Sequence, residues 1–448
     1  MTHNTNLLFS DKELLDKGFL QTDLGKLYLA IPFDELSKKI PPTPHQQSLM
    51  GCKPWFDIKG GIALMFLKHY LCMSDSMLID RINTDWSMQQ FCGISLKPFE
   101  RIQDKNLPSS WRVYLSEHLD IEELQKVLAS HWKPHMEDIS IGSQDATCYE
   151  SHITYPTDIK LLWDCCEKQY SFIQVQRKKL GLRKSRSNYK KYVLLFTAYQ
   201  KKRKKTKREE RRTRKKLLKF LLRLMEGWSV LNNKHPMILS ARKLKMLETI
   251  KKVYVQQHKK AYAEKGATIQ DRIVSLSKPY IRPIVRGKEV KPVEFGAKVN
   301  KLMVGGIGFI EHLSFDAFNE STHYQNGIYL QRKLFGKCTH HSADAIYATN
   351  KNRKYATAQK IQTNFIAKGK QQQQYTTQAD QMRTILNKHR STVLEGSFGN
   401  EKNHYLLNRI KAKTEQTERC WIFFGMMTAN ASIIANRIEE KQKLARAA

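Results

Sequence analysis

Residues 138–156 read DISIGSQDATCYESHITYP, and here the apolar period of the chain changes. Upstream, apolar residues recur at helical spacing. From Asp138 the residues alternate and β-branched side chains appear, the pattern of a strand ending near Asp145 to Cys148. A carboxylate at a strand end is held by a rigid element, while the following loop leaves it open to a ligand. An Asp that caps the turn after a strand has the same local signature. Asp145 is therefore a candidate that needs partners from elsewhere in the chain, and the class is α/β.

On the N-terminal side, GGIALMFLKHYL repeats apolar residues at helical spacing, CMSD breaks it, and Ser74 or Asp75 can cap the next helix, SMLIDRIN. A third helix follows from Asp85. Pro98 and Pro108 bound a looser segment before SSWRVYLSEHL, and DIEELQKVLASHW opens on an acidic cap. Residues 1–135 thus read as an all-helical domain, and residues 136–176 as the first part of the core.

On the C-terminal side, Thr157 or Asp158 can cap the helix TDIKLLWDCCEKQ, and the composition then changes. Between Arg177 and Arg223, 22 Lys or Arg stand against two acids, Glu209 and Glu210, which leaves a net +20. YVLLFTAY and LLKFLLRLM flank the densest run and suit helices with an apolar face. A basic helical insertion, placed at 177–275, follows from this. Its cations Lys201, Lys202, Arg203, Lys204, Lys205, Arg211 and Arg212 are candidates for contact with a phosphate backbone. The plainer reading is a solvated charged hairpin.

Residues 276–448 complete the core. PYIRPIVRG and KPVEFGAKVNKLM have strand character, and Gly305–Gly306 between two alternating apolar runs predicts a hairpin with IGFIEHLSF. A helix over roughly Ser321–Phe335 follows, then a short polar strand in CTHHSADAIYAT that puts Asp344 in the place matching Asp145. After the Gln-rich loop KGKQQQQYTTQAD come helices in DQMRTILNKHR, VLEGSFGNEKNHYLLNRIK and CWIFFGMMTANASIIANRI.

The whole chain of 448 residues has 77 Lys and Arg against 42 Asp and Glu, a net charge of +35. Such a field attracts polyanions, and DNA or RNA answers it through counterion release. A solubilising surface and an anionic-membrane binder are the alternatives, but no strong apolar anchor stands out for the latter. The eight cysteines show no CxxC pair, against a zinc ribbon or disulfide framework. The first residues lack a signal-peptide pattern and no apolar run approaches a membrane span, so a reducing cytoplasmic, nucleoid-associated setting is expected.

Metal-dependent phosphodiester cleavage needs several carboxylates brought together from separate elements, and hard oxygen ligands suit Mg²⁺ or Mn²⁺. Asp145, Asp344 and Glu395 are the candidates. Lys402 and Arg409 follow Glu395 at steps of seven, so on one continuous helix all three would share a face. An ordinary amphipathic helix with a salt-bridged polar face has the same spacing.

These blocks resemble insertion-sequence transposases of the DDE class. DATCYES with its following YPTD is similar to the block around the first Asp of that family, ADAIYATNKNRKY to that around the second, and LEGSFGNEKNHYLL to that around the Glu, with the shared spacing from Glu395 to Lys402. PYIRPIVRGK, PVEFGAKV and HLSFDAFNE resemble its connecting strands, and PWFDIKGGIALMFLKHYLCMSDSMLIDRIN its helical N-terminal domain. The likeness covers about residues 50 to 440. It departs from the family where an Arg often stands four residues before the Glu: that place is Ser391, Arg390 is one position off, and the associated Tyr position is Lys388.

The resemblance implies a ribonuclease-H-like sheet with helices on both faces, interrupted by the basic insertion after its first strand. It further implies Asp145, Asp344 and Glu395 as ligands for two Mg²⁺ or Mn²⁺ ions, with Lys402, Arg409 and Arg390 on DNA. The activity would be cleavage at the element's ends, the terminal inverted repeats, leaving a 3′-hydroxyl that attacks target DNA. The partners would be double-stranded DNA and, in the DNA complex, a second copy of the chain. Two other readings share the charge pattern: a non-catalytic DNA-binding relic, and a ribonuclease-H-like nuclease that cuts without joining.

Overall fold

The computed structural model describes residues 11–43, 53–262, 269–285, 292–366, 368 and 373–447. The opening residues 1–10, Cys52, the RGK of PYIRPIVRGK and most of the KGKQQQQ run lie outside them. The chain divides into two units: residues 1–152, 297–314 and 318–448 form the first, and residues 153–296 and 315–317 the second.

The first unit opens with short helices α1 (Asp11–Leu20), α2 (Asp23–Leu29) and α3 (Phe33–Ser37), then α4 (Ile58–Tyr70), α5 (Asp75–Ile82), α6 (Trp86–Phe91), α7 (Leu107–Glu117) and α8 (Ile121–Trp132). Of the two expected caps of α5, Ser74 takes the role: its hydroxyl accepts the Met77 N–H at 3.2 Å. Asp75 instead faces inward, where the buried cations Lys68 and Arg112 share its carboxylate at 2.5 and 2.9 Å. Both cations also lie over the ring of Trp421 in the long C-terminal helix. Residues 1–135, read from sequence as a separate domain, therefore fall in the same unit as the end of the chain, because α4 and α7 bury their apolar faces on that helix.

Strand β1 runs Ile141–Ser151, beyond the end expected near Asp145 to Cys148, and leads into the second unit. There α9 (Asp158–Lys179), α10 (Tyr189–Lys201), α11 (Lys207–Lys234) and α12 (Ala241–Tyr262) enclose a core of Leu162, Cys166, Leu217, Leu221, Ile250 and Val253. Trp163 stacks on Phe196, and Tyr192 on Phe220. Thr206 and Glu209 form a reciprocal capping box at the start of α11. Thr157 caps α9, so Asp158 can turn into the bundle. Its buried carboxylate accepts from Arg214 at 3.1 Å, Gln257 at 2.9 Å, Arg272 at 3.0 Å and Lys260. Burial alone would raise its pKa; the bonds from Lys260 and Gln257 and the charge of Arg272 outweigh that and lower it. The bundle is thus tied at its centre by one acid.

Strand β2 (Pro283–Val285) pairs antiparallel with the start of β3 (Val293–Val304). Within the first unit β3 continues and turns back into β4 (Ile307–Ser314) at Gly305 and Gly306, whose φ values of +54° and +77° suit a tight hairpin that residues with a Cβ rarely adopt. Then come α13 (Tyr324–Phe335), β5 (His340–Ala343), α14 (Asn350–Ala358), β6 (Gln362–Thr363), α15 (Gln373–His389), a π-helical turn over Arg390–Leu394, α16 (Glu395–His404), β7 (Arg409–Ile410) and α17 (Glu415–Ala447). The mixed sheet places β3 and β5 on either side of β1 and β6 beyond β5, with β4 on β3 and β7 on the far end of β1. No single helix among the described residues is long and apolar enough to cross a membrane.

Candidate active site

The register of two parallel strands brings the first two acids together. In β1 and β5, Ser143 lies opposite Ser342 and Gln144 opposite Ala343, where the ladder ends. Asp145 and Asp344 are the next residue of each strand path, so they emerge side by side. Asp145 does not end its strand: β7 pairs with Glu150 and Ser151 and prolongs β1 past it. One layer below, the hydroxyls of Ser143 and Ser342 meet at 2.8 Å, and Ser143 also reaches His389 Nδ1 at 3.1 Å. Each acid is steadied by the N–H of its successor, Ala146 to Asp145 at 2.7 Å and Ala345 to Asp344 at 2.8 Å.

The third acid arrives through the π turn. The Glu395 N–H donates to the carbonyl of Arg390, a bond spanning five residues. In an α-helix positions five apart point about 140° from each other, because each residue advances about 100°. The wider π turn brings Arg390 and Glu395 onto one side instead, and their side chains pair at 3.0 Å. The same guanidinium bonds Asp145 at 3.1 Å and stands 4.0 Å from Asp344. Asp145 in β1, Asp344 just past β5 and Glu395 at the start of α16 therefore converge on one cation.

The environments of the acids differ. Asp145 is 18% exposed, whereas Asp344 and Glu395 are about half exposed. Burial pushes the Asp145 carboxyl up to about 6; the Ala146 N–H and Arg390 pull the other way, and the charges of Glu320 and Asp344 add to the rise. One guanidinium leaves this cluster short of positive charge. As the side chains stand, no group of three or more His, Cys, Asp or Glu among the described residues is set to hold a metal ion.

The other candidates are scattered. Lys402 donates to Thr147 Oγ1 at 3.0 Å and lies over the ring of Tyr149. Arg409 does not share the face of Glu395 and Lys402: α16 stops at His404, Leu406 turns left-handed with φ +59°, and Arg409 enters β7 beside Glu150. The steps of seven assumed a helix that continues, and neither Gly nor Pro marks its stop. Lys201, Lys202, Arg203, Lys204, Lys205, Arg211 and Arg212 are exposed in the second unit, at the end of α10, in the following loop and on α11. Lys202 pairs with Glu209, and Lys205 lies over Tyr199. Glu311 is held by Asn300 and His323, and Asp316 pairs with Arg282 within the second unit.

Sequence reasoning missed Ser143, Thr147 and Tyr149, which share with Asp145 one face of β1 at alternate positions, a period visible in SQDATCY. It also missed Lys301 of β3 and Glu401 of α16, a buried ion pair.

The mixed α/β unit thus gathers three acids from separate elements on one guanidinium. The family model described as a transposase DDE domain matches residues 342–430, a span that takes in Asp344, Arg390, Glu395, Lys402 and Arg409 but not Asp145. That match supports a DDE-type transposase. Comparison with curated proteins and with solved structures gives no match.

Proposed function

We propose that this chain is an insertion-sequence transposase whose ribonuclease-H-like core cleaves DNA at the element's ends and joins it to target DNA, with Asp145, Asp344 and Glu395 as its catalytic acids. The observation that carries the reading is the meeting of these acids on one guanidinium. A mixed sheet whose first core strand leads directly into a basic helical unit supports the core and its insertion.

The donor set fits divalent cations in its chemistry: all ligands are hard carboxylate oxygens, and three carboxylates from separate elements meet one guanidinium. DDE transposases generally use divalent metals, and two Mg²⁺ or Mn²⁺ ions held by Asp145, Asp344 and Glu395 would stabilise the attacking and leaving oxygens of an in-line displacement. Hydrolysis at the element's end leaves a 3′-hydroxyl, and that hydroxyl attacks a target phosphodiester, with no covalent protein intermediate. Arg390 balances the acids in the metal-free protein, and Lys402 contacts phosphate near the cleaved end. The exposed cations of the second unit grip the backbone of the terminal repeats. Two chains pair the two DNA ends.

The test replaces Asp145, Asp344 and Glu395 singly by Ala and assays metal-dependent strand transfer with linear donor ends. Each variant should lose cleavage while still binding DNA. Full cleavage by Asp344→Ala would exclude that residue and leave Glu311 as the replacement candidate. A wild-type chain that cuts without joining is a nuclease, and one that does neither is a DNA-binding relic.

A further inference from the structure

Helix α16 carries Glu395 and Lys402 yet has little to pack with. Its sequence, EGSFGNEKNH, contains two glycines, which loosen a helix, and its one buried residue among those described is Glu401. Glu401 is 2% exposed and meets Lys301 of β3, 1% exposed. The buried Tyr149 hydroxyl of β1 donates to the other carboxylate oxygen of Glu401, and Lys301 also donates to Ser397 Oγ at 2.8 Å, one turn earlier on α16. Space for the Lys301 stem exists because Gly308 lies across the hairpin: a Cβ there would collide with Lys301 Cε.

We propose that the buried group Lys301–Glu401–Tyr149 is a positioning device that sets the height and rotation of α16 against β1 and β3, and so delivers Glu395 to Asp145. The inference rests on the catalytic reading of Glu395 above. Asp145, Thr147 and Tyr149 occupy alternate positions on one face of β1 and meet, in order, Arg390, Lys402 and Glu401. The strand thus acts as a ruler for the π turn and the helix. Apolar contact would hold α16 against the sheet while letting it slide; directed bonds to one carboxylate do not. A buried ion pair often contributes little net stability relative to apolar residues of similar volume, and registry is its best-attested use. Lys301, Glu401 and Tyr149 are positioning residues: none reaches the acid cluster.

The test compares Lys301→Met/Glu401→Met, Tyr149→Phe and, as control, Glu395→Gln in the full chain, reading thermal midpoint, DNA affinity, metal-dependent cleavage rate and hydrogen exchange of residues 397–404. The double variant should melt close to wild type and bind DNA equally well. Its cleavage should fall about 10²-fold, the scale of a misplacement near 1 Å, and its α16 amides should exchange at least tenfold faster, as a helix without its registry would. Tyr149→Phe, which removes one hydroxyl, should show both effects more weakly and covers the case in which the double variant does not fold. Cleavage within twofold of wild type in Tyr149→Phe and in a folded double variant, beside an inactive Glu395→Gln, would overturn the positioning role alone. An active Glu395→Gln would overturn the catalytic reading instead, and unchanged exchange in α16 would then overturn the clamp as well.

Discussion

Asp145 combines two demands that oppose each other in the metal-free protein. Its strand buries it, and its neighbours Glu320 and Asp344 repel its charge, so its carboxyl is raised to about 6. A carboxyl raised on folding takes up its proton more readily in the folded chain, so folding is favoured at low pH and that advantage disappears as pH rises through about 6. Asp145→Asn carries no such penalty. In metal-free urea melts, the stability gained by Asp145→Asn should grow from pH 4 to pH 6 and level off above it, reaching on the order of 1–3 kcal/mol. A gain that does not change with pH would show that ionisation of this carboxyl is not the source. The strand patterns around Asp145 and Asp344 gave no sign of this environment, because burial and like-charge repulsion arise only when distant residues meet.

At the scale of elements, the π turn is the feature that sequence periodicity could not register. Arg390 stands five residues before Glu395, one more than the related pattern, and the extra residue is absorbed in the turn. Removing it should return the segment to an α-helix in which the Arg and Glu lie four apart and still share a face. We expect deletion of Ser391, whose side chain is exposed, to leave a folded chain that melts within a few degrees of wild type, as followed by circular dichroism. A chain that fails to fold would mean that the turn does more than take up one residue. The opposite error occurred after His404, where counting by seven carried the helix through Arg409 although the chain leaves it by a left-handed Leu406. Elements with strong punctuation were legible: the Gly305–Gly306 hairpin and the Ser74, Asp85 and Asp120 caps stand where residue type requires them.

For the molecule as a whole, charge governs the expected behaviour toward DNA. If six to ten cations of the second unit contact phosphates, affinity should fall about 10³- to 10⁵-fold between 50 and 200 mM salt. Neutralising Lys201, Lys202, Arg203, Lys204 and Lys205 should flatten that slope by roughly 0.9 for each phosphate left without its cation. A filter-binding titration against salt measures both, and a flat response in the wild-type chain would refute the backbone-contact role.

What the amino-acid order determined by itself was local: periods, caps, turns, the concentration of charge between Arg177 and Arg223, and three motifs around acids. These depend on neighbours within a few residues, where propensity and charge act directly. Tertiary structure decided which residues meet. The Ser143–Ser342 register sets Asp145 beside Asp344, the π turn aims Arg390 at both, and Glu401 finds Lys301 a hundred positions away. Pairings of that kind form only when distant strands and helices pack, so the residues around one partner do not say which distant residue it will meet.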